Sequence, residues 1–236
     1  GYHVIIGDLP GQGQTSRAQK GQIDDFNTYH ENILEWIKIA NEYKIPTFVL
    51  GVGLGGLIIL NLLEKTELPI EGILLFSPML ELKRDYKGRK NKLISNVGKI
   101  SKDTRFKVGI TPQDLTRNDE IIEETANDGL MLKKVTYSWY NLINEKMKET
   151  MDHIRDIKPI SALIMYGTKD KILETQSINE MKDKLKSKEM YFKVWDGLYH
   201  EIHNEPERDL VMRYVLSFLN NSCLLYTSPS PRDLST

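Results

Sequence analysis

The sequence predicts an α/β fold, a largely parallel sheet covered by helices on both faces. Three observations carry this. Short runs rich in Val, Ile and Leu alternate with longer amphipathic stretches. The glycine-dense segment Gly51–Gly56 lies between one such run and the next helical stretch, as a strand–turn–helix junction would. The chain is also long enough, at 236 residues with 40% hydrophobic content, to bury a substantial core.

In chain order, strands are expected at Tyr2–Ile6, Thr47–Leu50, Gly72–Phe76, Ala162–Tyr166 and Met190–Val194, where apolar residues run almost without interruption. Helices are expected at Phe26–Asn41, Leu57–Lys65, Val135–Ile154, Ile178–Leu185 and Asp209–Leu219. In the first of these, Ile33, Leu34, Ile37 and Ala40 fall at helical spacing. The alternation breaks between Pro78 and Pro159. That interval is charged and mostly helical, with turn signals at Lys87-Gly88 and Thr111-Pro112, and it is expected to form an insertion capping the sheet. The domain organisation expected is a core of residues 1–77 and 160–221, with its first strands missing, a helical cap over 78–159, and a tail from 222.

The ends stand apart. The chain opens inside a strand-like run with no Met, which reads as a fragment lacking its beginning. The last helix is expected to stop at Asn220-Asn221. The aperiodic residues beyond it carry two Ser-Pro steps and resemble translated adapter sequence, so they are expected to be disordered. With Lys+Arg 32 against Asp+Glu 33, no overall charge favours nucleic acid. One cysteine, Cys223, permits neither an internal disulfide nor a multi-cysteine zinc site. No apolar run reaches the ~20 residues of a membrane helix, so at most a transient membrane-surface contact is expected. Cytoplasmic localisation is the default, and nothing in the sequence sets the oligomeric state.

The motifs fall after strands. Gly51, Gly53 and Gly56 satisfy the G-x-G-x-x-G spacing of a dinucleotide-binding turn. The same context fits a nucleophile elbow, G-x-S-x-G, with Gly53 at the central position and small neighbours in Gly51, Gly55 and Gly56. A plain glycine turn for close helix–strand packing is the third reading. The following strand ends in Ser77-Pro78 rather than in the acidic residue a dinucleotide ribose calls for. Asp8–Ser16 is a loop without the Gly-Lys-Ser/Thr of a phosphate loop. Asp170 follows one strand and His200 the next, both at the edge where parallel sheets assemble sites. His200 and His203 lack an obvious third metal ligand, so no metal and no other cofactor is expected.

In combination these segments resemble the α/β-hydrolase superfamily, most closely the bacterial monoacylglycerol lipase and lysophospholipase-like branch, often labelled serine aminopeptidase S33. The resemblance rests on Gly1-Tyr-His-Val-Ile-Ile-Gly-Asp-Leu-Pro-Gly-Gln-Gly13, the Gly51–Gly56 elbow, Leu75-Phe-Ser-Pro78, Leu115-Thr-Arg-Asn118, Tyr166-Gly-Thr-Lys-Asp170, Gly197-Leu-Tyr-His-Glu201 and Asn204-Glu-Pro-Glu207. It implies an α/β-hydrolase fold and Ser–Asp–His acyl transfer, with Asp170 as acid and His200 as base. It also implies an oxyanion-hole amide at Leu54, and a small acyl ester or lipid as ligand. The nucleophile position is Gly53, which has no oxygen. Ser77, Thr168 and Ser16 are weak substitutes, since none lies on the elbow. Trp139, Tyr140 and Ser77 are candidate substrate contacts. Two functions stay open, a hydrolase of monoacylglycerol or lysophospholipid esters and a non-catalytic acyl-lipid binder; a dinucleotide-binding domain is the minor third.

Overall fold

The computed structural model describes residues 1–15, 19–83 and 101–227, with side chains up to residue 221. Its centre is a four-stranded parallel sheet built from β1 (Phe48–Val52), β2 (Gly72–Phe76), β5 (Ser161–Gly167) and β6 (Met190–Trp195), in the order β1-β2-β5-β6. The register pairs Gly51 with Leu75, Phe76 with Met165, and Tyr166 with Val194. The strand ends therefore line up along one edge.

Period-two alternation sorts each central strand into two cores. Ile73, Leu75, Ala162 and Ile164 pack toward α1 (Asn27–Asn41), α2 (Leu54–Leu63) and α6 (Thr175–Lys184). Leu74, Phe76, Leu163 and Met165 pack on the other face against Val211, Val215 and Phe218 of α7 (Arg208–Thr227). Both faces are covered, which is why β2 and β5 read as unbroken apolar runs.

The segment 101–159 contains α3 (Pro112–Leu115), α4 (Asp119–Asn127) and α5 (Tyr137–His153). It also holds an antiparallel pair absent from the sequence expectation, β3 (Arg105–Lys107) with β4 (Lys134–Thr136). Three residues per strand are too few to show a period. The Lys87-Gly88 turn lies outside the described residues.

Two expectations are corrected. Tyr2–Ile6 joins no ladder among the described residues, and Val4 and Ile6 are 79% and 90% exposed. An apolar run specifies a strand only where a neighbour offers an edge. The last helix does not stop at Asn220-Asn221; its backbone continues to Thr227. The rest of the expected disordered tail, 228–236, lies outside the described residues.

Helix α2 is buried along Gly56–Leu63 and carries one polar side chain there, Asn61. The Asn61 amide donates to the Thr150 hydroxyl of α5 at 3.0 Å and to Glu64 at 3.2 Å, fastening the two helices together. Burial pushes the Glu64 carboxyl up to about 7; a Thr150 hydrogen bond opposes this and the nearby Glu149 charge adds to it. The folded state thus holds the Glu64 proton more tightly than the unfolded chain does. Stability is expected to fall as pH rises from about 4.5 through about 7. Glu64→Gln is expected to match the unmodified protein in thermal melts near pH 4.5. At pH 8 it should exceed it by about 1 kcal/mol, a value discounted for the half-buried position. An offset independent of pH would contradict this.

Candidate active site

The junction of β1 and α2 positions the site. Gly53 is the N-cap of α2, with φ 51° and ψ −113°, a left-handed backbone that suits glycine. The turn is tight because its flanks touch: a Cβ on Gly51 would lie 2.6 Å from the Gly55 and Gly56 backbone, and one on Gly56 2.8 Å from Pro78. Gly55 has open space, so smallness is required at two of the three flanking positions. A Cβ on Gly53 would lie 3.1 Å from Nε2 of His200.

Asp170 and His200, expected after β5 and β6, are brought together there. Nδ1 of His200 lies 2.8 Å from Oδ2 of Asp170, and both side chains are buried. Oδ1 of Asp170 accepts the backbone N–H groups of Ile172 and Leu173 at 2.8 and 2.9 Å, which fixes the carboxylate's orientation. Burial alone would raise this carboxyl. The His200 hydrogen bond and charge, with the two backbone donors, outweigh burial and hold it below its ordinary value. A carboxylate opposite Nδ1 makes that nitrogen the donor. The lone pair of Nε2 then faces Gly53, and the arrangement can accept a proton from a group placed there. Leu54 opens α2, so its N–H has no acceptor one turn earlier within the helix.

The histidine loop is pinned from three directions. The Ser77 hydroxyl donates to the His200 carbonyl at 2.8 Å. The Glu201 N–H donates to the Leu115 carbonyl, also at 2.8 Å. Glu205, fully buried, accepts from the Tyr199 and Arg117 N–H groups and from Nε of Arg117, the last at 2.6 Å. Arg117 also binds Glu207. Removing Glu205 leaves these donors without their acceptor. Glu205→Ala is expected to cost about 2–3 kcal/mol by chemical denaturation, below the usual loss for a broken buried pair because Arg117 is a third exposed.

The remaining candidates sit elsewhere. Ser77 is fully buried at φ 43°, and its hydroxyl serves the His200 carbonyl, so it is not presented to a ligand. The Trp139 indole donates to the Tyr29 hydroxyl at 2.9 Å, and Tyr140 packs edge-on against Phe106. Both contacts lie within the packing of α5. Thr168 binds Asp196 and the Gly197 N–H in a turn. Ser16 lies outside the described residues. His203 is half-buried beside Phe76, and desolvation lowers its ring below the ordinary value, with Glu201 opposing and His200 adding. Among the described residues no three His, Cys, Asp or Glu side chains form a metal-sized cluster, and no helix is long and apolar enough to cross a membrane.

Sequence reasoning missed Ser77, Arg117 and Glu205 as supports of the histidine loop. Arg117 and Glu205 lie in two of the motifs that carry the resemblance, and their opposite charges were the available signal.

A parallel sheet, an elbow at its C-terminal edge and an acid–histidine pair beside that elbow define an α/β-hydrolase. The chain matches the serine aminopeptidase, S33, family over residues 1–207 and belongs to it. Within that family it falls in the monoacylglycerol lipase and lysophospholipase-like branch. It is 32% identical over 219 residues to Phospholipase YtpA of Bacillus subtilis (strain 168), covering 92% of this chain and 84% of that protein. It is 23% identical to human monoglyceride lipase, over 86% of this chain and 68% of that protein. Its fold superposes on Paleococcus ferrophilus monoacylglycerol lipase with TM-score 0.78 at 22% identity, covering 91% and 82% of the two chains. A soluble variant of Saccharomyces cerevisiae monoglyceride lipase, solved with a substrate analog, gives 0.79 at 20% identity, covering 91% and 76%.

Proposed function

We propose that this protein is shaped for carboxylic esters of the monoacylglycerol or lysophospholipid kind. In the sequence at hand it holds such a ligand without forming an acyl-enzyme. The observation that carries this reading is Gly53, whose missing side chain would begin 3.1 Å from Nε2 of His200. In the serine version of this chemistry, the hydroxyl attacks the ester carbonyl as Nε2 takes its proton, and the imidazolium returns that proton to the leaving alcohol. Asp170 holds the tautomer throughout, and an amide such as that of Leu54 meets the developing oxyanion. Glycine offers no oxygen for the first bond. Loss of a triad nucleophile costs on the order of 10⁶ in kcat, leaving about 10³–10⁴ over water.

The kinship with lipases and a phospholipase supports an acyl-lipid ligand. A fluorophosphonate probe and a monoacylglycerol ester test the reading together. The unmodified protein is expected to stay unlabelled and to hydrolyse at no more than the residual level, while a non-hydrolysable monoacylglycerol ether binds. Labelling of the unmodified protein, or turnover at ordinary enzyme rates, would show that another residue supplies the nucleophile. Absence of ether binding would remove the ligand class.

A further inference from the structure

At the end of β2 a residue and its backbone disagree. Ser77 has φ 43° although it bears a side chain and precedes Pro78, whose ring favours an extended backbone before it. Among the described residues one other non-glycine has a positive φ, Lys44. Lys44 lies exposed just beyond α1, where helices commonly end in a left-handed residue. Ser77 is fully buried and follows a strand, and glycine would hold the same φ without strain.

Strain of this kind persists where the surroundings over-determine it. The Ser77 N–H donates to the Met165 carbonyl of β5 at 2.8 Å, fixing the start of the turn in the sheet. Just before it, the Phe76 carbonyl accepts the Gly53 N–H at 3.0 Å. Just after it, the Met79 N–H donates to the Gly53 carbonyl at 2.9 Å. From between them, the Ser77 hydroxyl donates to the His200 carbonyl at 2.8 Å. The segment Phe76–Met79 therefore holds residue 53 at both its N–H and its carbonyl, and His200 at its backbone. The other ties of the histidine loop run to Leu115 and Glu205.

The strained rotation is the one that serves both partners. Phe76 and the Ser77 N–H are fixed by the sheet, while the hydroxyl and the Met79 N–H both lie beyond the N–Cα bond of Ser77. Turning φ to an ordinary negative value would swing the two together, one off His200 and the other off Gly53. At 43° both bonds are made at once, and a glycine here would keep the second and lose the first.

We propose that Ser77 is a positioning residue that sets the gap between residue 53 and the His200 ring, the 3.1 Å that separates a Cβ on Gly53 from Nε2. It acts through the His200 backbone and not on the reacting atoms. This role rests on the reading of residue 53 and His200 as the reacting positions of an ester site. Its test reads the histidine directly and needs no ester, so its failure is distinct from a failure of that reading.

The full chain carries the substitutions. They are read by melting temperature and by the nitrogen NMR shifts of the His200 ring, which report how fully Nδ1 carries the proton and are assigned by their loss in His200→Gln. Ser77→Ala keeps the strain and removes the hydroxyl, whereas Ser77→Gly removes both. Ser77→Gly is expected to melt about 2 °C or more above Ser77→Ala. In both, the ring shifts are expected to move toward those of a solvent-exposed imidazole, and to the same extent, because the 2.8 Å bond to Asp170 loosens once the carbonyl tether is gone. A hydroxyl that merely stabilised the fold would let the ring shifts recover with the melting temperature in Ser77→Gly. Should Ser77→Ala fail to fold, Ser77→Cys keeps the strain and offers a weaker donor, and its ring shifts are expected between those of Ser77→Gly and the unmodified protein. The proposal is overturned by unchanged ring shifts in Ser77→Gly, by their recovery relative to Ser77→Ala, or by Ser77→Gly melting no higher than Ser77→Ala. It is also overturned by Ser77→Cys shifts no closer to the unmodified protein than those of Ser77→Gly.

Discussion

Gly53→Ser is expected to raise hydrolysis of short acyl esters by at least about two orders of magnitude and to make the protein reactive toward a fluorophosphonate. The backbone is already in the elbow conformation, at φ 51°. The new Cβ lands 3.1 Å from Nε2 of His200, so the imidazole or the turn must yield by a few tenths of an ångström. Its hydroxyl then stands beside the free lone pair. A non-glycine residue at this φ stores strain, so a stability loss of about 1–3 kcal/mol is expected alongside the gain. Gly53→Ala carries the same strain without the oxygen and should gain neither activity nor label. A Gly53→Ser protein that folds and stays inert would leave ligand binding as the surviving function.

In that serine background, Asp170→Asn is expected to remove most of what was gained, with a loss approaching 10⁴ in kcat, the size seen when a triad histidine is forced into the wrong tautomer. Oδ1 of Asp170 is held by two backbone N–H donors, so the asparagine oxygen will occupy that side. Its NH₂ must then face Nδ1 of His200, where a carboxylate oxygen now sits at 2.8 Å. Nδ1 becomes the acceptor, the proton moves to Nε2, and the lone pair that faced residue 53 is gone. The substitution keeps shape and packing, so melting temperature should fall far less than activity; parallel loss of both would mean that Asp170 is chiefly structural. Because the carboxyl is held below its ordinary value, Asp170 should not set the acid limb of the pH–rate profile of the Gly53→Ser protein.

The sequence exposed the parts of the fold that obey a short period. Gly72–Phe76 is buried at every position and matches its expected bounds, and β1, β5 and β6 differ from theirs by a residue or two. Asp170 and His200 were legible because each follows a strand and the ends of parallel strands converge. What stayed hidden depends on partners distant in sequence. Tyr2–Ile6 has a strand's composition, but pairing is a property of two segments. The Ser77 hydroxyl meets the His200 carbonyl across 123 residues, and Arg117 meets Glu205 across 88. No local pattern shows either contact. Trp139 has the bulk of a ligand contact, yet which way a helix turns its indole is settled by Tyr29 on another helix.

The bonds joining Leu115–Arg117 to Tyr199–Glu205 act as an interlock. Displacing Leu115–Arg117 would therefore pull on the loop that carries His200 and shift the imidazole against Asp170. A guanidinium on one segment and a carboxylate on another thus act as a tie rod for the proton acceptor: slackening it at Arg117 would detune a histidine that neither residue touches.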